Sequence, residues 1–124
     1  MPNSRPVATD LFAVIREYLS KEVSPQLPAH QQFQMRIADR LLEILEREMR
    51  LGPGFDAQET QRLRELLGAS GDLQQLNAEL CARIRDARLP TDDPALLAHL
   101  RQSTEDALRI NTPKWLTRGA PAAQ

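Results

Sequence analysis

The chain has few of the residues that build β-sheets or covalent cross-links. Its 124 residues include three Phe, one Tyr, one Trp and five Gly. Because strands are enriched in aromatic and β-branched residues, this shortage, together with abundant leucine, favours helices packed on helices. The single cysteine, Cys81, has no second cysteine in the chain with which to form a disulfide, which fits a reducing compartment.

An excess of charge of either sign is also missing. Sixteen basic and seventeen acidic side chains give a formal net charge of −1, and the two signs alternate along the chain. Nucleic-acid and anionic-membrane partners usually require a basic stripe, so we expect neither. Residues 1–20 lack the apolar run of a signal peptide, and no segment approaches the roughly 20 apolar residues of a membrane span. We therefore expect a cytoplasmic protein.

Apolar residues recur at helical spacing and predict an all-α, single-domain bundle of about five helices. We expect residues 1–6 to form a flexible arm, residues 7–115 the bundle, and residues 116–124 a disordered tail. The predicted helices cover about 7–22, 28–51, 56–67, 72–88 and 93–111.

Local signals set the predicted helix ends. The sequence Gly52-Pro53-Gly54 predicts the end of helix two, because glycine commonly ends a helix and proline cannot continue one. Capping-box patterns then predict two helix starts, at Asp56 with Glu59 and at Asp72 with Gln75. The last helix is predicted to begin at Asp93-Pro94.

Helix two, over about 28–51, is predicted to be the central helix because its apolar face is the widest. A glutamate, Glu48, falls on that face, where a carboxylate must be paired, solvated or used. We expect an arginine within salt-bridge distance of it. The alternative is an acyl-type ligand pocket between helices, with Arg36, Arg40 and Glu48 as candidate binding residues.

Motifs for catalysis or metal binding are missing from the sequence. Neither His30 nor His99 belongs to a Glu-x-x-His unit, so we expect no metal site and no cofactor, and no residue is assigned a catalytic role. A helix-turn-helix with base-reading side chains on helix four is a remote alternative. Those side chains are Gln74, Gln75 and Asn77.

Trp115 is an aromatic residue in an otherwise polar C-terminal segment. Such a side chain either folds back onto the bundle as an anchor, which we favour, or contacts a partner. We therefore assign it as a candidate partner-binding residue.

Several short segments follow one another in a characteristic order. They are Phe33-x-x-Arg36-Ile37-Ala38, Ile44-Leu45-Glu46-Arg47-Glu48, Gly71-Asp72-Leu73 with Leu76-Asn77 and Ala82-Arg83-Ile84-Arg85, the run from Asp92 to Arg101, and Pro113-Lys114-Trp115. In this order the chain, over about residues 7–115, resembles a family of small bacterial helical proteins of unknown function. Genes of that family commonly lie beside acyl-CoA dehydrogenases and kinases that resemble aminoglycoside phosphotransferases.

The resemblance implies an accessory role in acyl-CoA or fatty-acid-type catabolism, with the neighbouring kinase-like protein or dehydrogenase as partner. Our leading hypothesis is therefore a non-catalytic interaction protein, monomeric or weakly dimeric. The rival hypothesis is a small-ligand binder or enzyme with a pocket near Glu48.

Overall fold

The computed structural model describes residues 7–118, and within this range the chain is helical with no strand, which confirms the all-α class. A π-helical turn at Leu19–Val23 and a 3-10 turn at Ser24–Gln26 follow the first helix. The predicted arm and residues 119–124 of the predicted tail lie outside the described residues. The α-helices are α1 Ala8–Tyr18, α2 Ala29–Leu67, α3 Leu73–Arg85, α4 Pro94–Asn111 and α5 Lys114–Arg118.

The chain forms two compact units, and the boundary between them falls inside α2. The first unit is Met1–Arg50 and the second unit is Leu51–Gln124. Across residues 7–118, no helix combines the length and the apolar character needed to cross a membrane.

The predicted stop at Gly52-Pro53-Gly54 is wrong, because α2 continues through it for a total of 39 residues. Proline inside a helix removes one hydrogen bond and crowds the preceding turn, but its fixed φ is itself helical. A glycine stop requires a left-handed glycine, and neither Gly52 nor Gly54 has a positive φ. Helices two and three of the sequence prediction are therefore one helix.

Helix α2 ends where the chain does provide a left-handed glycine. Gly68 has a φ of +60°, and its N–H donates to the Arg64 carbonyl at 2.9 Å. Arg83 of α3 donates to the Leu67 carbonyl at 2.8 Å, which satisfies one of the acceptors that a helix end leaves open. These bonds fix the turn between α2 and α3.

The predicted starts of α3 and α4 are confirmed. Asp72 accepts from the Gln75 backbone N–H at 2.8 Å, and the Gln75 side chain accepts from the Asp72 N–H at 2.9 Å. Gly71 precedes this capping box with a φ of +147°. At α4, the Asp93 side chain caps the helix and Pro94 takes the first helical position.

The buried core lies in the second unit. Its five buried leucines come from the end of α2, from α3 and from the start of α4, and each contributes roughly 1.5–3 kcal/mol by leaving water. None of residues 7–50 is buried, so the apolar face of the predicted helix over 28–51 does not form the buried core. The part of α2 that occupies the core follows the boundary at Arg50. The core leucines are Leu63, Leu67, Leu76, Leu80 and Leu96.

Candidate functional site

Large apolar side chains remain exposed along both helices of the first unit. Ten of them have between 47% and 65% of their surface in water. The five at the start of the chain form the α1 stripe, and the five on α2 form the α2 stripe, each repeating at helical spacing. The α1 stripe is Val7, Leu11, Val14, Ile15 and Tyr18; the α2 stripe is Phe33, Ile37, Leu41, Leu45 and Met49.

A polar contact joins α1 to α2 within the first unit. Arg16 donates from Nε to Asp39 Oδ1 at 2.9 Å, and its Nη2 lies 3.8 Å from Glu43 Oε2. The hydrogen bond with Asp39 raises the pKa of Arg16, so the guanidinium stays charged. Partly exposed ion pairs contribute only about 0–1 kcal/mol, so this contact does not replace an apolar core.

The candidate binding residues Arg36 and Arg40 lie on α2 beside the α2 stripe. Both are exposed, and neither forms an ion pair with any residue in the range 7–118. They line an open groove of about 600 Å³, where the Arg36 guanidinium lies 5.8 Å from the centre of the Phe33 ring. The groove thus has a positive edge beside an aromatic wall.

Glu48 lies apart from those two arginines. Its side chain is exposed, it does not line the groove, and no ion pair within residues 7–118 includes it. The expected arginine beside Glu48 is therefore not found. The reason is that the apolar face carrying Glu48 is itself open to water, so the carboxylate needs no protein partner.

A cluster of polar side chains lies in the second unit, between α2 and α4. Arg62 donates from Nε to His99 Nδ1 at 3.4 Å and from Nη2 to Ser103 Oγ at 3.3 Å. The same Nη2 lies 3.9 Å from Asp106 Oδ2, and Arg109 Nη1 lies 3.6 Å from Asp106 Oδ1. One arginine on α2 therefore contacts three polar residues of α4.

Two members of this cluster are buried, which is unusual for such side chains. His99 is 4% exposed and Asp106 is 6% exposed. Gln102 donates to Asp106 Oδ1 at 3.0 Å, whereas Asp106 Oδ2 accepts no hydrogen bond from the described residues. The cluster therefore contains one oxygen that is compensated by the charges of Arg62 and Arg109 instead of by a hydrogen bond.

Burial lowers the pKa of His99, and the positive charge of Arg62 lowers it further, while Glu59 acts in the opposite direction. The ring is therefore neutral at pH 7. Because Nδ1 accepts the hydrogen bond from Arg62, the proton of the neutral ring is on Nε2.

An open cavity of about 450 Å³ adjoins this cluster. Its polar wall includes Arg62 and His99, and its apolar wall includes Leu66, Ala95 and Ala98. This volume is within the range of small-molecule sites. The polar–apolar division of the walls could hold a molecule with one polar end and one apolar end.

The sequence prediction missed this cluster because the leucines of α4 do not all lie on its buried side. Leu97 and Leu100 are 49% and 42% exposed. The buried positions include His99 and Asp106, which lie three and ten residues after Leu96. The available signal was His99, Ser103 and Asp106 at successive spacings of four and three residues.

The other predicted residues lie at the surface. Trp115 on α5 is 63% exposed, so it is not folded back as the anchor that we favoured. Cys81 is exposed as a free thiol. Gln75, a candidate base-reading residue, is held in the capping box of α3. Among the described residues, no group of three or more His, Cys, Asp or Glu side chains could hold a metal ion.

Comparison with known proteins identifies one family. The sequence profile of a domain of unknown function, DUF6285, matches residues 25–115. No curated protein and no solved structure shows a significant match to the chain. The match covers all of α2, α3 and α4, and carries no activity with it.

Proposed function

This chain belongs to the DUF6285 family, and we propose that it is a non-catalytic accessory protein that binds a partner enzyme through the stripes of its first unit. The observation that carries this proposal is the exposed α2 stripe, with two arginines at its edge that form no ion pair within residues 7–118. The resemblance seen in the sequence suggests a bacterial cytoplasmic protein, with a neighbouring kinase-like protein as first candidate partner and an acyl-CoA dehydrogenase as second.

The exposed apolar area suits a protein interface. Each of the ten stripe residues keeps roughly half of its surface in water, so together they offer several hundred Å² of apolar area to a partner. A standard interface buries about 800 Å² on each side, of which rather more than half is apolar. The first unit has no buried residue of its own among those described, so a partner would supply its missing apolar contacts.

The charges beside the α2 stripe define the chemistry of the partner. Arg36 and Arg40 lie toward one end, and Glu48 lies two turns further on, about 12 Å from Arg40 by helical rise. A complementary helix would carry an apolar face, acidic residues opposite the arginines, and a basic residue opposite Glu48. The three candidate binding residues thus become orientation contacts for a protein partner.

The decisive experiment measures binding of the purified chain to the kinase-like neighbour by isothermal titration calorimetry. Leu41→Asp should weaken binding by a factor of about 30 or more, because a charge would enter the apolar contact. Leu97→Asp is the matched control, since Leu97 is similarly exposed but lies in the second unit, and it should change the affinity less than twofold.

Charge reversal tests the orientation of the partner. Arg40→Glu should weaken binding by a factor of about 10 and reduce its salt dependence, because an attraction across the interface becomes a repulsion. Light scattering on the chain alone identifies the competing occupant. A stable homodimer that Leu41→Asp converts to monomer would show that a second copy covers the stripe, and the proposal would then be wrong.

Trp115 provides a second, separate contact in the proposal. It is the most exposed aromatic residue among those described, and exposed tryptophan is common at binding hot spots. Trp115→Ala should reduce partner affinity while leaving the thermal unfolding midpoint unchanged. A drop in that midpoint with unchanged affinity would instead assign Trp115 to the stability of the fold.

A further inference from the structure

We propose that the cavity between α2 and α4 of the second unit binds a small monocarboxylate with a short apolar tail. The cavity has a volume of about 450 Å³, and its walls divide into a polar part at Arg62 and His99 and an apolar part at Leu66, Ala95 and Ala98. This site is separate from the stripes of the first unit, and it does not depend on a protein partner.

The polar wall presents hydrogen-bond donors. The hydrogen bond from Arg62 to His99 is made at Nδ1. The Nε2–H on the other side of the ring makes no hydrogen bond with a described residue. The Nη1 group of Arg62 is also unused within residues 7–118, since its hydrogen bonds are made from Nε and Nη2. A carboxylate can accept from a guanidinium and an imidazole N–H at the same time.

The orientation of these donors is fixed by the residues behind them. Ser103 accepts from Arg62, and Asp106 lies within ion-pair distance of the same guanidinium. Asp106 in turn is held by Gln102 and lies 3.6 Å from Arg109. Because the buried carboxylate is shared between two arginines, the cluster of Arg62, Arg109 and Asp106 carries one net positive charge.

A carboxylate fits these charges better than a phosphate dianion does. Glu65, which also lines the cavity, is exposed and accepts a hydrogen bond from Gln61 at 3.0 Å. Its negative charge repels any anion in the cavity, and it repels a dianion more strongly than a monoanion. A monocarboxylate therefore meets less repulsion from Glu65 than a phosphate dianion does.

The apolar wall accounts for the tail. Ala95 and Ala98 have small side chains one helical turn apart on α4, and they leave room that longer side chains would fill. Leu66 of α2 faces the same space. A chain of a few methylene groups lying there would leave water, at roughly 0.8 kcal/mol for each buried methylene group.

The test is a titration of the full chain with hexanoate, observed by NMR at the imidazole signals of His99. Millimolar affinity is expected for a ligand of this size, so saturation should occur at or below about 10 mM. Hexanamide has the same tail without the charge, and inorganic phosphate has charge without the tail. Both should bind at least tenfold more weakly than hexanoate.

Three variants locate the site. Arg62→Gln removes the guanidinium and should weaken hexanoate binding at least tenfold. Ala98→Leu fills the apolar space and should abolish saturation while leaving every charge in place. Arg101→Gln is the matched control, because Arg101 is exposed on the opposite face of α4, and it should change the affinity less than twofold.

The outcomes separate clearly. If Arg62→Gln fails to fold, Ala98→Leu still decides the question, because it alters neither the ion pairs nor the hydrogen bonds. The proposal is overturned if hexanoate causes no saturable shift at His99, or if hexanamide or phosphate binds equally well. It is also overturned if Ala98→Leu binds hexanoate as tightly as the unaltered chain does.

Discussion

Both units of this chain carry large apolar side chains at helical spacing, but among the described residues only the second unit buries any of them. The contrast occurs within one helix, since α2 carries exposed Leu41 before the boundary and fully buried Leu63 after it. Apolar periodicity therefore identifies the apolar side of a helix. It does not show whether other helices of the same chain cover that side. In the second unit α3 and α4 cover it; in the first unit we propose a partner.

The largest expected effect is the difference in stability loss between truncating a leucine in the second unit and truncating one in the first. Leu63→Ala should lower the free energy of unfolding by about 2–5 kcal/mol, because it leaves a cavity in the core. Leu41→Ala should lower it by less than about 0.5 kcal/mol, because that side chain is already half in water. Urea unfolding followed by circular dichroism measures both, and equal losses would contradict the contrast between the units.

The second effect concerns the helix at the boundary between the units. Pro53→Ala restores a backbone donor inside α2 and should stabilise the local helix by about 1–3 kcal/mol. Gly54→Ala should stabilise it less, by about 0.5–1 kcal/mol, and a Cβ at position 54 meets nothing within 4 Å. Slower amide hydrogen exchange at residues 50–57 is the expected result. Unchanged exchange in both variants would show that helix propensity does not determine the local stability of this segment.

A smaller loss should follow from neutralising the buried carboxylate of the second unit. Asp106→Asn removes the charge that faces Arg62 and Arg109, and it should reduce stability by about 1–2 kcal/mol. Asp92→Asn is the control, since that residue is exposed and the change should be within about 0.5 kcal/mol. A stabilised Asp106→Asn variant would show that the unsatisfied oxygen of Asp106 outweighs its ion pairs.

The smallest expected effect is a dependence of stability on pH. Because burial and the charge of Arg62 lower the pKa of folded His99, the unfolded chain takes up a proton at higher pH than the folded chain does. Stability should therefore fall as the pH decreases below about 6.5, and the fall should end once the folded ring is also protonated. Glu59, which faces His99 from α2, acts against this shift.

The variant His99→Gln tests the source of that dependence. Glutamine can still accept from Arg62 but does not titrate, so unfolding free energies measured from about pH 7 to pH 5 should vary less than in the unaltered chain. An unchanged slope would assign the pH dependence to carboxylates instead of His99.

The all-α class and the start of each helix with a capping residue were predictable, because these depend on side chains close together in sequence. Asp72 with Gln75, and Asp93 with Pro94, are such local signals. The continuation of α2 through Pro53 was not predictable in the same way. A Gly-Pro-Gly sequence permits both a stop and a continuous helix, and the choice depends on φ at the glycines.

The candidate sites also differ in whether they depend on local sequence or on packing between helices. Arg36 and Arg40 were chosen by position on a helix, and both do line a groove. The ion pair expected for Glu48 is not found among the described residues, because the burial of Glu48 depends on what covers the face, and a helical pattern does not contain that information. The Arg62–His99–Asp106 cluster was missed because Arg62 lies 37 or more residues from the other two members, and only the packing of α2 against α4 brings them together.

Gly71 has a consequence for anyone who diversifies this protein in a library. A Cβ at position 71 would lie 2.9 Å from Gln75 Oε1, the oxygen that caps α3, and the φ of +147° already disfavours other residues. Positions 71 and 75 are therefore coupled, and a library that varies position 71 while keeping Gln75 would mostly weaken the start of α3. A double-mutant cycle across the two should be strongly non-additive.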